Sequence, residues 1–235
     1  MFKHATRTQA SQSAFAPADE AEITNIELQL SEDDLLAWEE TAKIAEKGNF
    51  NYIVKFPTTL DLSDEALQNC VKLCAVLNTD VLVIHEPMSK KFGQRLVELA
   101  PTLKLAVENN RFTAKRLTEW AETNDALALD VEHFWKFTLE DGDQTKTIEL
   151  LTQFIRTYAA KIAVVHASGY QPGQQVHRPM YCNRDLTFAA LSALADKNFA
   201  GFVVSEVADE YMNRRDLVMD RELVASWLEQ AAVAV

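Results

Sequence analysis

Short apolar runs rich in β-branched residues alternate with longer amphipathic stretches along almost the whole chain, and few folds accept that order. The runs are Ile23–Leu28, Tyr52–Phe56, Val81–His85, Leu103–Glu108, Ala126–Asp130, Ile162–His166 and Phe202–Glu206. They are apolar nearly without interruption, which marks strands covered on both faces, as in a parallel sheet. The stretches between them repeat every 3.6 residues, as helices do. Leu67, Cys70, Val71, Cys74 and Leu77 make one stripe, Ile148, Leu151, Phe154, Ile155 and Tyr158 another, and Leu223, Val224, Trp227 and Leu228 a third. Ser31 opens the first helix, with Asp34 at the capping-box position. An eighth strand is read at Phe2–Thr6, and eight β–α units predict an α/β fold, a (β/α)8 TIM barrel.

Such barrels usually take about 250 residues; at 235 residues this one is expected to have short loops. No linker divides the chain, so residues 1–235 read as one domain. The polar, Ala-rich segment 9–22, which contains Pro17, is either a short helix or loosely ordered.

Composition narrows the function classes. The chain is 48% hydrophobic and 25% charged, enough to bury a full core. Its net charge of −12 repels phosphate backbones and argues against general nucleic-acid binding. No apolar run approaches a membrane span, and the first residues lack the apolar core of a signal peptide. The three cysteines suggest no disulfide framework, and Cys70 and Cys74 read as small buried hydrophobes; a reducing cytoplasm is the expected setting. Six glycines form neither a dinucleotide-binding nor a P-loop motif.

The chemistry lies in what ends the strands. Five consecutive strands finish on His85, Glu108, Asp130, His166 and Glu206, and a parallel barrel points all such ends to one face. Converging carboxylates repel one another unless a cation joins them, and a mixed Asp/Glu/His set suits a divalent metal. Each residue alone has a plainer reading: His85 bonding its neighbours, Asp130 capping the next segment, Glu206 pairing with Arg214 or Arg215. The conjunction is what points to a shared site.

The motifs Val-Glu-Asn-Asn at 107–110, Asp-Val-Glu-His at 130–133, His166, Val-His-Arg-Pro at 176–179 and Ser-Glu-Val at 205–207 make the chain resemble the xylose-isomerase-like TIM barrel superfamily. That superfamily contains sugar and sugar-phosphate isomerases, ketose 3-epimerases and endonuclease IV. The resemblance implies one divalent ion, Mn²⁺ or Zn²⁺ ahead of Mg²⁺, Co²⁺ or Fe²⁺, held by Glu108, Asp130, His166 and Glu206. It implies that His133 and Arg178 meet the substrate, with Lys55, His85 and His177 as further substrate-binding candidates. The implied activity is a sugar or sugar-phosphate isomerase/epimerase. Glu108 and Glu206 would move a proton next to a carbonyl through a metal-stabilised enediolate. The implied partner is a small sugar, sugar phosphate or keto acid, and a homo-oligomer is compatible with the family.

The chain departs from endonuclease IV at two places. Lys55 stands where that enzyme has a histidine, and His177-Arg178-Pro179 stands where it has Asp-Arg-His. Met180-Tyr181-Cys182-Asn183 replaces the Gly-rich turn frequent in the isomerases. An abasic-site nuclease and a non-catalytic metal- or sugar-binding barrel are therefore the alternatives. For Lys55 a solvated place on the rim is as good a reading as a role in the site. The long connection Ala167–Asn183 reads as a lid or substrate clamp, and Trp135 as a candidate apolar wall for a sugar ring.

Overall fold

The computed structural model describes residues 2–233. Eight parallel strands, each hydrogen-bonded to the next in chain order, close on themselves through pairing of the last with the first. They are β1 (Lys3–Gln9), β2 (Asn25–Gln29), β3 (Asn51–Lys55), β4 (Val81–His85), β5 (Lys104–Glu108), β6 (Ala126–Asp130), β7 (Ile162–Ala167) and β8 (Phe202–Ser205). The helices that return the chain are α1 (Gln12–Glu20), α2 (Glu32–Leu36), α3 (Trp38–Gly48), α4 (Asp64–Val76), α5 (Glu86–Leu99), α6 (Ala114–Thr123), α7 (Val131–His133), α8 (Gln144–Tyr158), α9 (Arg184–Ala195) and α10 (Arg214–Val233). The chain is a (β/α)8 TIM barrel.

Local chemistry explains where the elements start. Ser11, Ser31, Ser63 and Thr113 each accept a backbone N–H at the mouth of a helix, and Ser31 and Asp34 complete a capping box. β1 runs three residues past the expected Thr6, through half-buried Arg7, buried Thr8 and exposed Gln9, all of which pair with β2. The segment between β1 and β2 folds as α1, whose Phe15 and Ala18 are buried.

Two cores hold the barrel. The larger lies between strands and helices. The smaller fills the interior with Ala5, Ile53, Val81, Val83, Ala106, Ala128, Val164 and Val204. Two residues further along most of these strands the side chains change character. Arg7, Lys55, His85, Glu108, Asp130, His166 and Glu206 follow Ala5, Ile53, Val83, Ala106, Ala128, Val164 and Val204 at the period-two spacing of a strand. The apolar plug thus ends in a layer of ionisable groups on the C-terminal face.

Candidate metal centre

The centre of that layer is buried. Glu108, Asp130, His166 and Glu206 are each under 4% exposed, and one ligand atom from each lies within 4.8 Å of the others. Asp130 is set by its neighbours: its carboxylate accepts the His133 N–H at 2.8 Å, and its own N–H donates to Asn109 Oδ1 at 2.6 Å. Asn109 returns a bond to the Asp130 carbonyl at 3.0 Å, so this one amide clamps β5 to β6. His166 places Nε2 2.8 Å from Glu27 Oε2 and Nδ1 2.8 Å from Glu206 Oε2.

Charge crowds this space. Lys55 Nζ is 2.9 Å from Glu108 Oε2 and 3.6 Å from Glu206 Oε2, and Arg7 bonds Glu206 Oε1. Four carboxylates (Glu27, Glu108, Asp130, Glu206) therefore meet two permanent cations, which leaves two negative charges over while the imidazoles are neutral. These charges shift the pKa values of the groups among them in different directions. Burial works against the charge on His166, but Glu27 and Glu206 outweigh it and hold its pKa well above the ordinary value. Burial opposes protonation of His133 too, and Asp130 and Glu108 reverse that. Asp130 is raised, by burial first and then by Glu206 and Glu108. Burial would raise Glu108 and Glu206, yet both are held well below the usual carboxylate range, by Lys55 and His166 for the first and by Lys55 and Arg7 for the second.

A divalent cation fits this place. Both oxygens of Glu108, Glu206 Oε2 and His166 Nδ1 are buried and, close contacts notwithstanding, lack a hydrogen bond of acceptable geometry. Buried polar atoms are rarely left so. A +2 ion would meet these lone pairs and cancel the two residual charges, and carboxylates with one imidazole are donors for Zn²⁺, Mn²⁺ or Fe²⁺.

The open side of the centre is a cavity of about 460 Å³. Lys55, His85, Glu108, His133, His177 and Glu206 line it together with Arg7, Glu132, Arg111, Lys136 and Phe137. Asp130 and His166 lie beneath and do not reach it. Lys55 is 3% exposed, so the solvated-rim reading is overturned: Glu108, Glu206 and Glu27 draw the ammonium inward and keep it charged against the penalty of burial. His85 Nε2 is 3.2 Å from Glu108 Oε2. Arg178 is outside the cavity lining; its guanidinium turns to Cys182 and Tyr211, and its carbonyl accepts Gly169 N–H at 2.7 Å. Trp135 is not a cavity wall either: it is 2% exposed and its indole N–H bonds Gly142 O at 2.8 Å, so Phe137 supplies the aromatic surface instead.

Three residues of the centre escape the strand-end reading. Arg7 lies beyond the expected end of β1, and Glu27 lies inside β2. Glu132 sits within the Asp-Val-Glu-His motif, between the residues to which that motif gives a role; its Oε2 accepts Ser168 Oγ at 3.0 Å and His177 N–H at 2.8 Å, tying the long connection after β7 to the cavity wall. The signal for Glu27 was present, as a lone acid in a strand apolar on both sides.

No family model matches the chain, and no curated protein matches it in sequence. Solved structures do. A D-tagatose 3-epimerase-like protein superposes with a TM-score of 0.66 at 16% identity, over 99% of each chain. The D-allulose 3-epimerase of Methylomonas sp. gives 0.61 at 16% identity, over 96% of this chain and 98% of the other. Endonuclease IV from Thermus thermophilus gives 0.61 at 14% identity, over 97% and 99%. The chain shares the (β/α)8 barrel fold of these proteins. Nearly the full length of these neighbours is covered. No helix among the described residues is long and apolar enough to cross a membrane.

Proposed function

We propose that this barrel is a divalent-metal-dependent isomerase or epimerase that moves a proton next to the carbonyl of a small sugar or sugar derivative. One observation carries the reading: of the four residues that could hold the ion, only Glu108 and Glu206 also line the cavity. Asp130 and His166 could hold an ion from beneath, whereas the two glutamates also face the cavity. When bound, the ion would supply Lewis-acid polarisation of substrate oxygens. The residues do the rest. Glu108 and Glu206, held ionised by Lys55, Arg7 and His166, are competent to take a proton at a carboxylate oxygen and to return one. Lys55, charged and buried, offers its N–H donors to a developing oxyanion. His85 and His133 stand on the cavity wall as hydrogen-bonding partners for hydroxyl groups. The epimerases among the structural neighbours support the reaction class, and Lys55, at the end of β3, weighs against the nuclease chemistry of the third.

The test is metal content followed by turnover. Elemental analysis should find about one divalent ion per chain, lost in Asp130→Ala and His166→Ala. With a substrate found on a ketose panel, Glu108→Gln and Glu206→Gln should each lower turnover by about 10²–10⁴-fold while the fold survives. Full turnover in both variants would exclude the proton-transfer role. A protein without metal after reconstitution would exclude the centre.

A further inference from the structure

The cavity holds four permanent cations, and two of them have work already. Arg7 is paired with Glu206, and Lys55 with Glu108 and Glu206. The other two, Arg111 and Lys136, make no ion pair among the described residues, although the chain carries 35 acidic residues and only 23 basic ones. Both sit against the same ring: the Arg111 guanidinium is 5.3 Å and Lys136 Nζ 5.5 Å from the centre of Phe137. Both line the cavity beside Asn110.

Their placement is built rather than incidental. The short α7 passes into one turn of π-helix, Phe134–Thr138. Single π turns concentrate at functional sites because they redirect side chains out of the α-helical order. Here the turn buries Phe134 and Trp135 and leaves Lys136 and Phe137 on the cavity wall. Arg111 comes from the neighbouring strand end, on the turn after β5, where Arg111 N–H bonds Asn110 Oδ1 at 2.9 Å.

We propose that Arg111 and Lys136 form an anion subsite at the cavity mouth that binds the phosphate group of a phosphorylated sugar. This rests on the cavity being the substrate site and selects the phosphorylated class among the substrates that the resemblance implies, whereas the sugars named for the structural neighbours are uncharged. A guanidinium fork and an ammonium, both free of protein carboxylates, match a dianion better than a single carboxylate. In an acidic molecule they also make the mouth the place to which an anion is drawn.

Binding, measured without turnover, tests the subsite apart from the reaction. Inorganic phosphate, D-ribulose 5-phosphate and D-ribulose are titrated calorimetrically into the protein and into the Arg111→Ala, Lys136→Ala double variant. The phosphorylated ketose should bind at least about tenfold more tightly than the free one, and inorganic phosphate should compete with it. The double variant should lose that margin and keep its metal content and melting temperature. Equal binding of the two ketoses, or a margin that survives in the double variant, overturns the proposal. So does a larger gain for a sugar acid than for the phosphate, or tighter binding of an abasic-site oligonucleotide through the same two residues. If the margin stands while no ketose is turned over, the subsite holds and the proposed reaction falls.

Discussion

Glu27 is the residue on which the centre turns. It is fully buried in β2, does not line the cavity above the centre, and spends one oxygen on His166 Nε2 at 2.8 Å. That contact fixes which imidazole nitrogen is free to face Glu108 and Glu206, and a carboxylate behind an imidazole also raises its basicity as a ligand. Glu27→Gln keeps the size and an oxygen to accept the Nε2 proton but removes the charge. We expect metal affinity to fall about 10–100-fold, read by competition with a chelating dye, with little change in circular dichroism. Unchanged affinity would leave Glu27 with a packing role only. Residues of this kind test how far a sequence can be read. Glu108, Asp130, His166 and Glu206 were legible because each ends a strand that is otherwise apolar, where a charge has no structural reason to be. Glu27 breaks its strand in the middle and reaches the centre from a level below. Arg7 was hidden by a first strand whose Lys-His-Ala-Thr-Arg-Thr-Gln composition does not look like a strand at all.

At the scale of elements, the order of strands and helices could be read from periodicity, whereas the turn after α7 could not. A π turn differs from an α turn by one residue of hydrogen bonding, and no spacing of apolar residues announces it; hence Phe137, not Trp135, meets the cavity. Similarly, nothing in the sequence said that Arg178 would turn to Tyr211. The packing of α10 offers a measurable consequence of burial. Its Asp220 is fully buried and accepts Tyr181 N–H at 3.1 Å. Burial pushes the carboxyl up to about 7 from 3.8, against the pull of the Met180 and Tyr181 amides and the Ser205 hydroxyl. Between those values the native protein keeps a proton that the unfolded chain releases. The contribution is thus complete below the unfolded value and is lost as pH rises through the folded one, with a ceiling of about 4 kcal/mol. Asp220→Asn imitates the neutral acid and does not titrate. Its melting temperature relative to the wild type should climb as pH rises through the window and level off above it. Parallel profiles would show that Asp220 is ionised in the native state.

For the whole molecule, the centre is assembled from every part of the chain. Arg7 comes from β1, Glu27 from β2, Lys55 from β3, Glu108 from β5, Asp130 from β6, His166 from β7 and Glu206 from just after β8. An ion that binds only this assembly stabilises the native state by mass action, by about 2.7 kcal/mol at a hundred times its dissociation constant. The effect should be greatest where β1 meets β8. Hydrogen exchange should show the amides of Lys3–Gln9 and Phe202–Ser205 slowed by metal more than those of β3 and β4. Equal slowing everywhere, or none, would mean that the ion does not reach across that junction.

The pairing of β1 with β8 makes the junction a seam, and Arg7 and Glu206 are stitched across it at the point where the ion would sit. Neither strand can offer its half of the stitch before the other has arrived, although nearly two hundred residues separate Arg7 from Glu206. Loss of β1 would leave all four candidate ligands in the chain but remove Arg7, and loss of the segment from β8 onward would remove Glu206. On the proposed reading, competence for chemistry is therefore a certificate of completed folding: the site is whole only once the two ends of the barrel have found each other.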